Sequence, residues 1–322
     1  MEKSETVLNF YVEANSNKYD ICDDRTFRGI SVAEKTVLEC IVAMGISSEC
    51  DIDFDVNKVI KILMSISLDD KTSMLRKHEE YKALQDEYYG IIPTNEGYVA
   101  RLCSQSVMDF KESVLGSIEV GKLFRNFLTL QEKIRSGHLY WGVKGDRLES
   151  ILEHTYGTMI LAMGLDSEFD YFVDFDKVLR MMLMHETEEI IIGDLTEWDG
   201  VSKEEKLERG NEAVSRLLGR LKKSSEYENL LDEFNEQKTI ESHYAYMCDK
   251  LEYDLQVKMY EEMSRYDYSN IPSNVVTNSD RVRSIIDGGA QGVFDVHYEY
   301  DKSKYVSIPC MRLLLENAKE RK

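Results

Sequence analysis

Residues 31–70 and 150–189 align at a constant offset of 119, without a gap, and 13 of the 40 pairs are identical. Average composition predicts roughly two or three identities. They include Ser31/Ser150, Glu34/Glu153, Thr36/Thr155, Met44/Met163, Gly45/Gly164, Asp51/Asp170, Asp55/Asp174 and Lys58/Lys177. The match crosses an irregular stretch at 45–55, which shared helical pattern alone does not explain. Arg28/Arg147 extends it upstream. Further on, YKALQDE (81–87) matches YENLLDE (227–233) at offset 146, and Glu96/Glu241, Cys103/Cys248 and Asp109/Asp254 match at offset 145. The growth from 119 to 146 marks an insertion of about 27 residues in the second copy, around 195–226. Two related domains are expected, 1–120 and 121–322.

The repeated unit reads as helical. Only Pro93, Pro272 and Pro309 interrupt the chain, and proline-poor sequence favours helix because proline removes a donor and clashes with the preceding turn. Helical periodicity runs through 32–44, 56–66, 150–164, 175–185, 203–222 and 240–264. Ser202 with Glu205 has capping-box spacing. The Ser- and Asn-rich stretch 264–280 reads as a loop, with a final helical segment from about 281. The expected fold class is all-α, built from tandem copies.

Lys+Arg total 40 and Asp+Glu 60, a net charge of −20. Such a field repels the phosphate backbone and argues against nucleic acid as a partner. A single small nucleotide remains compatible if a few local cations offset the field. Six scattered cysteines without a CxxC pair read as reduced thiols in a cytoplasm. The opening MEKSETVLNF lacks the apolar core of a signal peptide. No apolar run approaches the roughly 20 residues of a membrane span.

Chemistry concentrates in the second copy. His154 lies in a helical pattern, and 31 residues later comes HETEEIIIGD, with His185, Glu186, Glu189 and Asp194. His185 and Glu189, four apart, share one helix face. Gly193 can end that helix and turn Asp194 back toward it. Asp249 opens DKLE on a later helix. Two imidazoles and two carboxylates make a mixed N/O set for a divalent metal.

With these spacings the chain resembles the HD superfamily of metal-dependent phosphohydrolases, and within it the 5′-deoxynucleotidase-like branch. The resemblance covers about 130–322. It implies that His154, His185, Glu186 and Asp249 ligate the metal, with Glu186 where the motif has Asp. It places Glu189 and Asp194 at the positions that handle attacking water and leaving group. RLESILEH (147–154), VSKEEK (201–206) and Arg135-Ser136-Gly137 also match segments of the branch, with His138 where Trp is usual. GGAQGVFDVHYEYDKSKY (288–305) resembles a terminal segment of related bacterial proteins. Arg135, Arg147 and Lys203 are the candidate phosphate contacts, since Arg suits bidentate contact with phosphate oxygens. The implied cofactor is a divalent ion (Mn, Co, Fe, Ni, Zn or Mg), and the implied substrate a nucleoside monophosphate or similar phosphoester. Alternatives are a non-catalytic nucleotide sensor or regulator, and a dNTP or alarmone hydrolase.

The first copy is an internal control. Lys35 stands at the position of His154, Ile66-Ser67 at His185-Glu186, and Ser104 at Asp249; Asp70 preserves the acid of Glu189. A degenerate first domain without a metal site is expected. Its expected role is to pack on the second domain in place of the homodimer partner common in the branch, with a homodimer of the whole chain also allowed.

Overall fold

The computed structural model describes residues 2–26, 29–68, 75–196 and 198–321. Arg28 and Asp70, both used in the repeat, lie outside them. Over the described residues the chain is all-α apart from a small antiparallel hairpin, β1 (Ile21–Asp23) with β2 (Ile30–Ser31). The first half contributes α1 (Glu2–Ser16), α2 (Val32–Glu49), α3 (Val56–Ile66), α4 (His78–Tyr88), α5 (Asn95–Met108) and α6 (Ile118–Leu128). The second contributes α7 (Ser136–Tyr140), α8 (Ile151–Glu168), α9 (Phe175–Met184), α10 (Glu189–Ile192), α11 (Lys203–Leu218), α12 (Ser224–Glu236) and α13 (Ile240–Glu262). The chain closes with α14 (Asp280–Asp287), α15 (Val293–Asp301) and α16 (Pro309–Glu320). None of these helices is long and apolar enough to cross a membrane.

Helices α2 and α8, at the 119-residue offset, form the centre. Each is buried nearly all round, as expected of a helix without a polar face. Both begin with a full capping box, Ser31 with Glu34 and Ser150 with Glu153. That satisfies two orphan donors at a helix start closed to water and accounts for the shared Ser and Glu. Asp55 and Asp174 cap α3 and α9, and Thr94 and Thr239 cap α5 and α13. α11 occupies the inserted segment, capped by Ser202 but ending at Leu218.

Contacts between the halves come in exchanged pairs. Tyr81 donates to the Met163 carbonyl at 3.4 Å, and Tyr227 donates to the Met44 carbonyl at 2.8 Å. The Lys77 amide donates to Ser167, and the Lys223 amide to Ser48. The Arg76 amide donates to Glu168, and the Lys222 amide to Glu49. In every pair the donors differ by 146 and the acceptors by 119. Residue i meeting j while j's counterpart meets i's is the signature of an isologous, two-fold interface. Near this centre Arg147 pairs with Glu34 at 3.1 Å and Glu153 at 2.8 Å.

A buried carbonyl stripped of its donor costs roughly 1 kcal/mol. Tyr227→Phe should lower the urea-unfolding free energy by about that amount. Tyr81→Phe, whose bond is longer, should lower it less; an equal or reversed order would contradict the geometry.

Candidate active site

The stretch from 185 to 194 is not the continuous helix that its spacing suggests. α9 ends at Met184 with His185 as its C-cap, and a turn over 185–188 leads into the short α10. The break has a local cause. His185 Nδ1 turns back to the Met182 carbonyl at 2.5 Å, and Thr187 Oγ1 donates to the Met184 carbonyl at 2.5 Å, so side chains take the place of the next helical bonds. Lys133 then fixes α10 by donating to the carbonyls of Glu189 and Ile190. Gly193, at φ 78°, ends α10, and Asp194 turns back to accept from the Ser136 amide at 2.7 Å and hydroxyl at 3.0 Å.

These turns bring four predicted residues together. His154, His185, Glu186 and Asp249 each offer one ligand atom within 4.8 Å of the others. Glu186 Oε1 lies 3.2 Å from His185 Nε2 and 3.6 Å from His154 Nε2. The extra methylene of Glu186 therefore does not take its carboxylate out of the cluster. Asp249 Oδ1 lies 2.9 Å from His154 Nε2. Arg135 enters from the start of α7, 2.9 Å from Glu186, 3.5 Å from Asp249, 3.6 Å from Asp194 and 4.0 Å from Glu189. The guanidinium thus touches all four carboxylates.

The donor set suits a divalent cation. His185 commits Nδ1 to a carbonyl and His154 commits Nδ1 to Glu252 at 2.6 Å, so both turn Nε2 toward the cluster, the orientation outer partners give metal-binding histidines. His185 Nε2 and Glu189 Oε2 make no hydrogen bond, although Glu186 stands close to the former. Glu186, Glu189, Asp194 and Asp249 carry four negative charges, against two positive ones on Arg135 and on Lys250, which is 2.9 Å from Asp249. Fully ionised, the site would be left with two uncompensated charges, which a cation, or protons held on Glu189 and His154, must balance. Burial, reinforced by Glu186 and Asp194, pushes Glu189 well above the ordinary carboxylate range. Burial and Arg135 oppose charge on His154, yet Glu252 and Asp249 outweigh them and hold it up at about 9.

The support beneath His154 comes largely from the other half. Glu252 accepts from Tyr11 of α1 at 2.8 Å, and Lys18, fully buried just after α1, lies 3.6 Å from Glu252 and 2.6 Å from Glu149. Gly157 makes room for Glu252: a Cβ there would fall 2.2 Å from Oε1. Gly137 similarly leaves space for the Tyr253 ring. Sequence reasoning missed Tyr11 and Lys18; the one accessible signal was the three-residue spacing of Asp249 and Glu252 on one helix face. His138, at the position where the family has Trp, is wholly buried between Tyr253 and Tyr260 and hydrogen-bonded to Tyr266 and Glu149. Arg147 lies instead at the centre of the two halves. Lys203 is exposed at the start of α11, without a hydrogen bond or ion pair to the cluster among the described residues. In the first half, Lys35 occupies the His154 position and pairs with buried Glu39 at 2.7 Å; the groups able to hold a metal all lie from Glu149 onward among the described residues.

Comparison with known proteins places the chain in a family. The HD domain family model matches residues 128–286. The chain is 30% identical over 131 residues to the human 5′-deoxynucleotidase HDDC2, covering 40% of this chain and 62% of that protein. It is 30% identical over 135 residues to HDDC2 of Dictyostelium discoideum, covering 40% and 70%. It is 31% identical over 133 residues to the 5′-deoxynucleotidase hdd1 of Schizosaccharomyces pombe, covering 39% and 65%. The chain spans about three fifths of the human relative's length. It belongs to the HD-domain phosphohydrolase superfamily. Within that class it falls in the 5′-deoxynucleotidase-like branch.

Because metal must displace the His154 proton, affinity should rise with pH through neutrality and level off near 9, by about tenfold per unit while one proton is released. Equilibrium dialysis against Co²⁺ at pH 6.5, 7.5 and 8.5 measures this, and a flat profile would contradict it. Tyr11→Phe, which removes only a hydroxyl from Glu252, should weaken Co²⁺ binding by about 10-fold or more, and Gly157→Ala by a larger factor. Unchanged affinity in both would remove Glu252 from the argument.

Proposed function

We propose that residues 121–322 form a metal-dependent phosphohydrolase that releases phosphate from a nucleoside monophosphate or similar small phosphoester. The observation that carries this reading is the convergence of His154, His185, Glu186 and Asp249, with Glu189, Asp194 and Arg135 at the edge of the same buried cluster. The relatives' printed activity supports the monophosphate. A pure sensor would need neither Glu189 nor Asp194. Hydrolysis of a triphosphate or alarmone would call for more cations than Arg135 and Lys250 supply.

His154, His185, Glu186 and Asp249 would hold the ion, drawn from Mn, Co, Fe, Ni, Zn or Mg. A divalent ion bound there acidifies water and neutralises a phosphoryl oxygen. Glu189, with one carboxylate oxygen unpartnered and its proton affinity raised, takes the proton of the attacking water. Asp194, fixed by Ser136 and 3.6 Å from the same Arg135 nitrogen that Glu189 approaches, would when protonated give that proton to the departing ester oxygen. Arg135, already among carboxylates, orients the phosphate by planar hydrogen bonding. Arg147 and Lys203 are weaker candidates for that contact: the first is engaged by Glu34 and Glu153, and the second lies on the surface.

In this reading residues 1–120 are a degenerate copy that has lost its ligands and serves as an internal partner. The exchanged hydrogen bonds and the Tyr11 and Lys18 contacts support that role, and a homodimer is then not required to complete the site.

A phosphate-release screen over deoxynucleoside and nucleoside monophosphates tests the proposal. Activity should require added metal and vanish in His185→Ala together with metal binding. Glu189→Gln should keep the metal while losing about 100-fold or more in kcat. Metal bound but no phosphate released from any monophosphate would reject the enzymatic reading.

A further inference from the structure

A second group of donors lies outside the site just described, where α13 packs on α15. His297 and Asp301 are four apart on α15 and so share a face; Asp254 projects from α13. The three offer ligand atoms within 4.8 Å of one another. Asp254 has no side-chain exposure, Asp301 is buried, and the His297 side chain is 12% exposed. The ring of His297 is flanked by Trp141 at 5.2 Å and Tyr253 at 5.3 Å between centroids.

What sets this group apart is unsatisfied bonding. Asp254 Oδ1, Asp301 Oδ1 and His297 Nε2 are all buried and make no hydrogen bond. Buried polar atoms are nearly always paired. Asp301 Oδ1 has the Lys304 ammonium as an ion-pair partner, which leaves Asp254 Oδ1 and His297 Nε2 as two orphans in one place that call for a common cause. Their surroundings do not supply it. Tyr305 donates to Asp254 Oδ2 at 2.7 Å, leaving Oδ1 bare. Lys304 stands 2.7 Å from Asp301 Oδ1, cancelling one of the two carboxylate charges from the rim. His297 Nδ1 stands 3.7 Å from Asp254 Oδ1, too far for a hydrogen bond.

We infer that Asp254, His297 and Asp301 form a second divalent-cation site, separate from the one at His154, that ties the C-terminal helices to α13. One nitrogen and two carboxylates suit Mn²⁺, Fe²⁺, Co²⁺ or Zn²⁺. Bonds of about 2.1 Å from one centre put ligand atoms roughly 3 to 4 Å apart, so the cluster needs only a small contraction. Burial holds His297 down at about 4, which leaves its imidazole neutral and able to donate a lone pair. Burial and the neighbouring Asp301 push Asp254 well above the usual carboxylate range, so an ion bound there displaces a proton from Asp254. The competing arrangement is a single proton shared between Asp254 and Asp301. That would relieve the charge but leave the imidazole without a partner. The segment 288–305, noted in the sequence for its resemblance to related bacterial proteins, carries both ligands of α15 and gains a role from this site.

Equilibrium dialysis of the metal-stripped full chain against Co²⁺ tests the inference. The unaltered chain should bind two equivalents, His185→Ala one, His297→Ala one and the double variant none. Asp301→Asn, nearly isosteric, should match His297→Ala and stands in for it if the latter fails to fold by circular dichroism. Added Co²⁺ should also raise the melting temperature of His185→Ala and leave that of the double variant unmoved. If His297→Ala and Asp301→Asn both bind as much Co²⁺ as the unaltered chain, the carboxylates share a proton and the site does not exist. The result is independent of the proposed enzymatic reading: failure at His154 alone would leave one equivalent that is lost in His297→Ala and retained in His185→Ala.

Discussion

The bond between His154 and Glu252 is the hinge of the molecule. A buried imidazole can face a metal-binding cluster only if its other nitrogen is satisfied, and Glu252 does this. A buried carboxylate is itself costly, several kcal/mol before compensation. The compensation comes from Tyr11 and Lys18, which belong to the other half of the chain. The half that carries the cluster therefore does not hold His154 in place alone. The packing of α1 over α8, with Phe10 close to Gly164, places those two side chains where Glu252 needs them.

Electrostatics reconciles a strongly acidic protein with the anionic substrate proposed for it. The overall charge of −20 is a sum over the whole chain, and at physiological salt the reach of its exposed part is about 8 Å. Inside the cluster the balance is set by a few groups. Arg135 there is surrounded by acids, and a cation would convert this excess of negative charge into a seat for a phosphate. The same logic, on a smaller scale, governs Asp254 and Asp301.

Much of this was legible in the sequence because it is written locally. Capping residues, apolar periodicity and the spacing between His154 and the His185-Glu186 pair are short-range features, and the all-α class follows from them. The repeat set Lys35, Ile66-Ser67 and Ser104 opposite His154, His185-Glu186 and Asp249 without any other protein for comparison. What escaped was tertiary. The break after Met184 depends on side chains of His185 and Thr187 bonding backward, which periodicity does not register. Tyr11 and Lys18 reach Glu252 across more than 230 residues of sequence, and nothing near them marks that purpose. His297 drew no role from the sequence; the one proposed for it comes from the unpartnered Asp254 and His297 atoms that folding brings together beside Asp301.

The exchanged bonds between the halves, Tyr81 to Met163 and Tyr227 to Met44, join partners on a single chain. Association of such partners is unimolecular, with an effective concentration fixed by the linker and not by the cell. A site assembled between separate subunits weakens on dilution, because its stability includes a concentration term. Here that term vanishes, so the support given to His154 persists however scarce the protein becomes. The two copies are also free to diverge, since a change in one is no longer imposed on both sides of the interface.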